Sequence, residues 1–316
     1  MISVCMATYN GEKFIEEQLL SILKQTRQPE EVVICDDNSS DNTAKIIAQF
    51  IEDNGLQDRW KLIINKENKG YPMNFFYCID NCKGDIVFLS DQDDVWKIDK
   101  IERMETVLNE NPNIQLLSCN YGVIDADNNK INGLMTPKTS ETMKITPVYI
   151  QDILRSFRWP GMTMAIRKNY YKKICSNFRN LRAAHDMIFA IFASNDNGFY
   201  YYDYIGVYHR RHSNNTAKEE HRIFKLLNLE RKLFEVEKYN NILEEIVCKE
   251  FNLNTEVNTA IKERLKISKF RYDILKKRKF SKLFSLYIKN MNYLRVKSFI
   301  CDFWLLCFGG YGKYSN

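Results

Sequence analysis

Apolar and polar positions along the first hundred residues switch repeatedly between two periods. Ile2 to Ala7, Val32 to Cys35, Trp60 to Ile64 and Ile86 to Leu89 are short, largely apolar runs, the mark of strands covered on both faces. Between them the spacing becomes helical. Phe14, Ile15, Leu19, Ile22 and Leu23 share one face of a helix expected from about Glu12 to Lys24. Ile46, Ile47, Phe50 and Ile51 repeat in the same way after Ser40 or Asp41, either of which can cap a helix start. A third helix is expected from about Met73 to Cys82. The order β-α-β-α-β-α-β predicts an α/β fold, a mostly parallel sheet flanked by helices.

Ligands of such sheets bind beyond the carboxyl ends of the strands. Polar clusters fall at those ends: Thr8-Tyr9-Asn10, Asp36-Asp37-Asn38-Ser39, Asn68-Lys69-Gly70 and Asp91-Gln92-Asp93-Asp94. The last holds three carboxylates within four residues, which repel one another unless a cation or water compensates. Mg²⁺ and Mn²⁺ prefer oxygen ligands, and Mg²⁺ often takes one or two carboxylates plus substrate phosphates. A solvated acidic turn would explain one such cluster, but not four in register. Neither GxGxxG after the first strand nor GxxxxGK[ST] occurs, so metal and side chains must hold any phosphate.

Composition narrows the class. At 316 residues the chain can hold one large domain or two ordinary ones, and 45% hydrophobic content excludes a disordered protein. Nine scattered cysteines, with Cys5, Cys35, Cys119 and Cys175 inside apolar runs, read as buried free thiols of a reducing compartment. Met1 leads directly into a strand-like run, so no leader is expected, and no run of about 18 apolar residues is present to span a bilayer. The net charge of +6 is uneven. From Thr216 onward 21 Lys+Arg face 12 Asp+Glu, which leaves 25 against 28 before it. Between Ala260 and Lys297 there are 13 basic and 2 acidic residues, interleaved with Phe270, Tyr272, Phe280, Phe284 and Tyr287. A basic amphipathic tail fits an anionic membrane surface first. Nucleic-acid binding ranks lower because no such motif accompanies it, and a homodimer element is the third option.

Ile2 to Gly11, then Val33 to Asp41, then Phe88 to Asp94 together resemble a family 2 glycosyltransferase, and Asp91-Gln-Asp-Asp-Val-Trp96 is similar to its bacterial rhamnosyltransferase-like members. Pro160 to Arg167 resembles that family's sugar-pocket segment, His185-Asp186 its acidic catalytic motif, and Tyr208 to Asn215 its closing Arg-x-His element. The Gln-x-x-Arg-Trp element of processive synthases is absent.

The resemblance implies the glycosyltransferase A fold over residues 1–217, with 218–316 as a separate basic helical region. It implies inverting transfer of one sugar, rhamnose among the options, from a nucleotide-diphosphate donor to a lipid-linked or oligosaccharide acceptor for surface polysaccharide. That chemistry belongs on the cytoplasmic face of the cell membrane. Thr8, Tyr9, Asn10 and Gly70 would line the donor site, with Asp36 or Asp37 on the pyrimidine. Asp91 would meet the ribose, Asp93 and His212 a Mn²⁺ or Mg²⁺ ion, and Arg210 the diphosphate. Asp94 would orient the turn and cap the next helix. Asp186 would be the base that activates the acceptor, with His185 as rival; His209 and His221 read as surface residues. A metal-dependent phosphodiesterase or nucleotidyltransferase, or a sugar-nucleotide-binding module, is the alternative.

Overall fold

The structure, a computed structural model, describes residues 1–132, 136, 141–178, 183–212, 228–249 and 251–309. Ser213 to Asn215, His221, the apolar positions Ile223, Leu226 and Leu227, and the boundary expected at 217/218 lie outside them. The chain divides into two compact units. The first is Met1–Val148 with Trp159–His212; the second is Tyr149–Arg158 with the described part of Ser213–Asn316. The short stretch Tyr149–Arg158 thus belongs with the tail although it lies inside 1–217.

The first unit begins with β1 (Ile2–Thr8), α1 (Ile15–Leu23), β2 (Glu31–Asp36), α2 (Thr43–Asp53), β3 (Trp60–Ile64), α3 (Met73–Asn81) and β4 (Ile86–Ser90), the alternation expected. Every residue of β4 is buried, as are nearly all of β1 and β2, which is why these strands read as continuous apolar runs. They outrun the apolar stretches because polar residues continue the ladder: Thr8 pairs with Asp36, and Met6 with Ser90. Next come β5 (Val95–Trp96), α4 (Lys100–Glu110), β6 (Leu116–Ile124), β7 (Ile145–Pro147), α5 (Ile150–Arg155, in the second unit), β8 (Met164–Arg167), α6 (Lys168–Phe178), α7 (His185–Asn195) and β9 (Phe199–Arg210).

One sheet of nine strands results, ordered β3-β2-β1-β4-β8-β6-β9-β5, with β7 also on β9. Strands β1 to β4 are parallel. Beyond them β8 runs antiparallel to both β4 and β6, and β9 is parallel to β6 but antiparallel to β5 and β7. The sheet is therefore mixed, and the parallel description holds for its front half. Trp96 and Trp159 are buried packing residues, as are Cys5, Cys35, Cys78, Cys82 and Cys119. Cys175 is half-buried on α6, contrary to expectation.

The second unit is helical: α5 together with α8 (Leu229–Cys248), α9 (Thr255–Lys276), α10 (Phe280–Lys289) and α11 (Val296–Phe308). Asn228 and Asn254 cap α8 and α9, accepting from the backbone N–H of Arg231 and Val257 at 3.1 and 2.8 Å. Leu229, Ile274, Leu275, Leu283, Leu286, Leu305 and Leu306 form its core. Arg271 donates to both oxygens of the wholly buried Asp302 at 2.6 and 2.7 Å, and the Tyr287 hydroxyl donates to the same carboxylate. A pair so well matched can offset the cost of taking two charges out of water. Among the described residues no helix is long and apolar enough to cross a membrane.

Candidate active site

Register alone assembles the start of the site. With Thr8 opposite Asp36, the Thr8 hydroxyl donates to the Asp36 carboxylate at 3.0 Å. Ser39 donates to that carboxylate from its N–H and its hydroxyl, at 2.8 and 2.6 Å. Asn10 donates its N–H to the Ser39 hydroxyl at 2.9 Å, and its Oδ1 accepts from the Ser40 N–H. Asn10 sits at φ 49°, a left-handed conformation that asparagine tolerates. Gln92 clips Tyr9 in place, accepting from its N–H at 2.8 Å and donating to its carbonyl at 3.0 Å, which leaves the Tyr9 ring half exposed.

Asp37 holds the next loop. Its carboxylate accepts from the Asn65 side chain, the Lys69 N–H and the Gly70 N–H, each at 2.8 Å. Gly70 has φ 73°, which a side chain would strain, so glycine and aspartate together fix this turn. Of the two carboxylates expected near a base, Asp36 is wholly buried with both oxygens engaged by Thr8 and Ser39.

The acidic turn is gathered by β9. Because β5 pairs antiparallel to it, with Val95 opposite Tyr208, Asp94 meets the end of β9. One oxygen of Asp94 accepts from the His209 ring at 3.0 Å and from the Arg210 N–H at 3.1 Å; the other is buried without a partner. Asp94 therefore orients the turn, while α4 starts after Asp99. His209 is not a bystander on the surface. Burial works against its charge, but Asp94, helped by Asp93 and Asp91, outweighs that and pushes it up to about 9. His212 Nε2 lies 2.8 Å from Asp93 Oδ2, its ring 4.5 Å from that of Phe14. Asp91 is raised well above the usual carboxylate range by burial first, then by Asp94 and Asp93, and the charge of Asp186 also reaches it. Beneath the turn lies Lys100, wholly buried, donating to the Met162 carbonyl at 2.8 Å. Burial brings it down to about 8, against the pull of Asp94 and Asp91.

Arg210 is placed otherwise than as an open cation for a diphosphate. Its side chain is wholly buried. Nε donates to the Asp93 carbonyl at 3.0 Å, one terminal nitrogen to Asn128 Oδ1 at 2.7 Å and the carbonyls of Asp125 and Ala126, and the other to Glu17 at 2.6 Å. Its chemistry here is that of a tie between loops.

Asp186 stands in the first turn of α7, half-buried, accepting from the Met187 N–H at 2.7 Å. Burial raises it to about 6, although N–H groups of Met187 and Gly161 favour the charged form. Its neighbour His185 is buried, with neither ring nitrogen partnered, and lies 4.2 Å centroid to centroid on Phe75. Burial lowers it to about 3, so it is neutral and sealed off. A Cβ on Gly161 would collide with that ring, which is why glycine stands there. The hydroxyl of Tyr71 lies within range of the charges of both Asp186 and Asp91, so the base candidate and the acidic turn share one neighbourhood.

The sequence profile described as Glycosyl transferase family 2 matches residues 3–174, more than half of the chain. The chain belongs to glycosyl transferase family 2. This glycosyltransferase is 33% identical over 227 residues to the dTDP-rhamnosyl transferase RfbG of Shigella flexneri, across 67% of this chain and 73% of that one. It is 33% identical over 133 residues to the UDP-Glc:alpha-D-GlcNAc-diphosphoundecaprenol beta-1,3-glucosyltransferase WfgD of Escherichia coli, across 42% and 49%. With several such curated relatives the match spans about half of their length. Its fold is that of S. aureus TarS 1-349 in complex with UDP-GlcNAc, with TM-score 0.62, 20% identity and coverage of 85% and 72%. The Pyrobaculum calidifontis mannosyltransferase PcManGT in complex with GDP-Man and Mn²⁺ gives TM-score 0.57 at 14% identity, over 96% and 84%. These likenesses show the glycosyltransferase A fold.

Within this glycosyltransferase no three His, Cys, Asp or Glu side chains among the described residues gather into a metal-binding group. Asp93 with His212 is a pair, of the kind that leaves remaining positions to substrate phosphates. One residue, His209, was misread in the sequence as a surface residue, and another, Lys100, went unread. His209 sits in a polar run that resembles a loop, and Lys100 opens a helix whose inner face is Ile101, Met104, Val107 and Leu108. A lysine on that face was the available signal.

Proposed function

We propose that this enzyme moves a single sugar, with inversion, from a pyrimidine nucleotide-diphosphate donor to a lipid-linked saccharide, at the cytoplasmic face of a membrane and in surface polysaccharide synthesis. The observation that carries this reading is the position of one half-buried carboxylate, Asp186 in the first turn of α7, beside the acidic turn but outside its hydrogen-bonded network, where burial lifts it to about 6. A base poised near neutrality serves proton abstraction. The donor set of Asp93 and His212, oxygen plus imidazole, fits Mn²⁺ or Mg²⁺, and such an ion would neutralise the diphosphate as it departs. Asp91, which burial and the neighbouring carboxylates raise well above the usual carboxylate range, would meet a ribose hydroxyl. Asp37, Gly70, Thr8, Tyr9 and Asn10 shape the pocket for the base and ribose.

In the transfer the acceptor O–H bond breaks and its proton passes to the Asp186 carboxylate. The acceptor oxygen bonds to the anomeric carbon, and that carbon's bond to the phosphate oxygen breaks with the electron pair leaving on the diphosphate. His209 and Lys100 hold the acidic turn against its own repulsion. The acceptor reading draws on the diphosphoundecaprenol sugar in the name of WfgD, and the rhamnose option on that of RfbG. The test is to incubate the protein with UDP- and dTDP-sugars, a diphospholipid-linked acceptor and Mn²⁺, and to identify the released nucleotide. Intact nucleoside diphosphate is expected. Monophosphate or pyrophosphate would instead mean chemistry at phosphorus.

A further inference from the structure

Helices α10 and α11 of the second unit each turn one apolar face inward and another outward. On α10 the inward face is Leu283, Leu286 and Tyr287, whereas Phe280, Phe284 and Ile288, four residues apart, are 43, 62 and 55% exposed. Met291 continues that row at 58%. On α11 the inward face is Asp302, Leu305 and Leu306, whereas Val296, Ile300 and Phe303 are 64, 62 and 49% exposed. Ring contacts join the two rows. Phe280 meets Phe303 edge-on at 6.3 Å, Phe284 meets Phe299 at 6.1 Å, and Phe299 stacks on Phe303 at 6.1 Å. The result is one continuous aromatic and aliphatic surface, larger than the scattered apolar residues of an ordinary exterior.

Charge decides what covers it. From Lys276 to Cys301 there are eight Lys and Arg and not one Asp or Glu, and all eight are exposed. A second copy docking the same face would meet it across a two-fold axis and set these cations against their equivalents. An anionic bilayer supplies both an apolar interior for the rings and phosphates for the rim. We propose that the α10–α11 face is the surface by which this protein inserts shallowly into an anionic lipid leaflet, Phe284, Ile300 and Phe303 entering below the headgroups while Lys276, Lys277, Lys282, Lys289 and Lys297 grip them. This deepens the reading of a lipid-linked acceptor, and rests on it only for the claim that the protein works at a membrane.

The experiment floats full-length protein, without donor or acceptor, with vesicles of phosphatidylcholine alone or mixed with phosphatidylglycerol. Wild type is expected to float only with the mixed vesicles and to be released by high salt. The triple substitution Phe284→Ser, Ile300→Ser, Phe303→Ser should cut vesicle binding at least about tenfold while leaving the protein folded, with at most a small drop in melting temperature, since the replaced side chains lie outside the buried core of the unit. Lys277→Glu with Lys282→Glu should cut it on the order of tenfold. Released nucleotide, measured in parallel with a water-soluble acceptor, should be the same for every variant, which separates failure of this surface from failure of the transferase reading. The proposal is overturned if wild type ignores anionic vesicles, if the triple variant binds like wild type, or if the triple variant instead converts a dimer to a monomer by sedimentation.

Discussion

Asp36 and Asp37, at the end of β2, have their oxygens filled by six donors from Thr8, Ser39, Asn65, Lys69 and Gly70. Around the end of β4 the opposite holds. Asp94 keeps a buried oxygen without a partner, Asp91 is held above the usual carboxylate range, and Asp186 is lifted to about 6. Asp36-Asp37 and Asp91 to Asp94 are both short acidic runs beyond the carboxyl ends of parallel strands that flank β1, and Asp186 joins the second group from α7. The difference lies in the donors supplied. A carboxylate with every oxygen filled by N–H and O–H groups builds a loop; one with fewer donors than it can accept is ready to take a proton, a cation or a ligand.

Removing a member of each group should break the comparison in different ways. Asp93→Ala is expected to abolish transfer in the presence of Mn²⁺, by nucleotide-release assay, while the melting temperature stays near wild type, because one carboxylate fewer relieves repulsion in the turn. Retained transfer would remove Asp93 from the metal site. Asp186→Asn should lower kcat by about 10²–10⁴. The wild-type pH profile should rise as pH climbs through about 6 and then level, since the base works only when ionised. The residual activity of Asp186→Asn should lack that limb.

The loop-building group predicts loss of stability instead. Asp36→Ala strands the Thr8 hydroxyl and two donors of Ser39, and is expected to cost about 2 kcal/mol or more, read as a lower denaturant midpoint at unchanged slope. A midpoint within error of wild type would erase the distinction between the two groups. The smallest effect belongs to His185→Leu. It removes two buried nitrogens that have no partner, so stability should hold or rise and turnover should stay near wild type. Loss of turnover there would transfer the base to His185.

The front half of the fold was legible because β1, β2 and β4 are buried on both faces and spell it out as continuous apolar runs. The rear half was not. Strand β9 alternates irregularly between buried and half-buried positions, and its pairing with β6 shifts register around Asn120, so no clean period marks it. The same limit governs the site. Asp91 and Asp93 stand out as an acidic cluster at a strand end, whereas Asp186 and His212 are singled out by resemblance to the family's motifs. The partnership of Asp94 with His209 depends on β5 lying antiparallel to β9, more than a hundred residues apart, which no local pattern encodes. Arg210 shows the converse: its motif points to an open cation, and only three-dimensional packing reveals it wholly buried and bonded on every side.

That arginine has a consequence for motion. One guanidinium joins Glu17 on α1, the carbonyl of Asp93, and the turn from Asp125 to Asn128. Segments tied through a single buried cation open together or not at all, so they belong to one cooperative unit. Amide hydrogens around residues 93, 125–128 and 210 should therefore exchange with solvent at a common rate, and slowing one by ligand should slow the rest. A ligand that steadies the acidic turn would in this way also quiet the turn from Asp125 to Asn128.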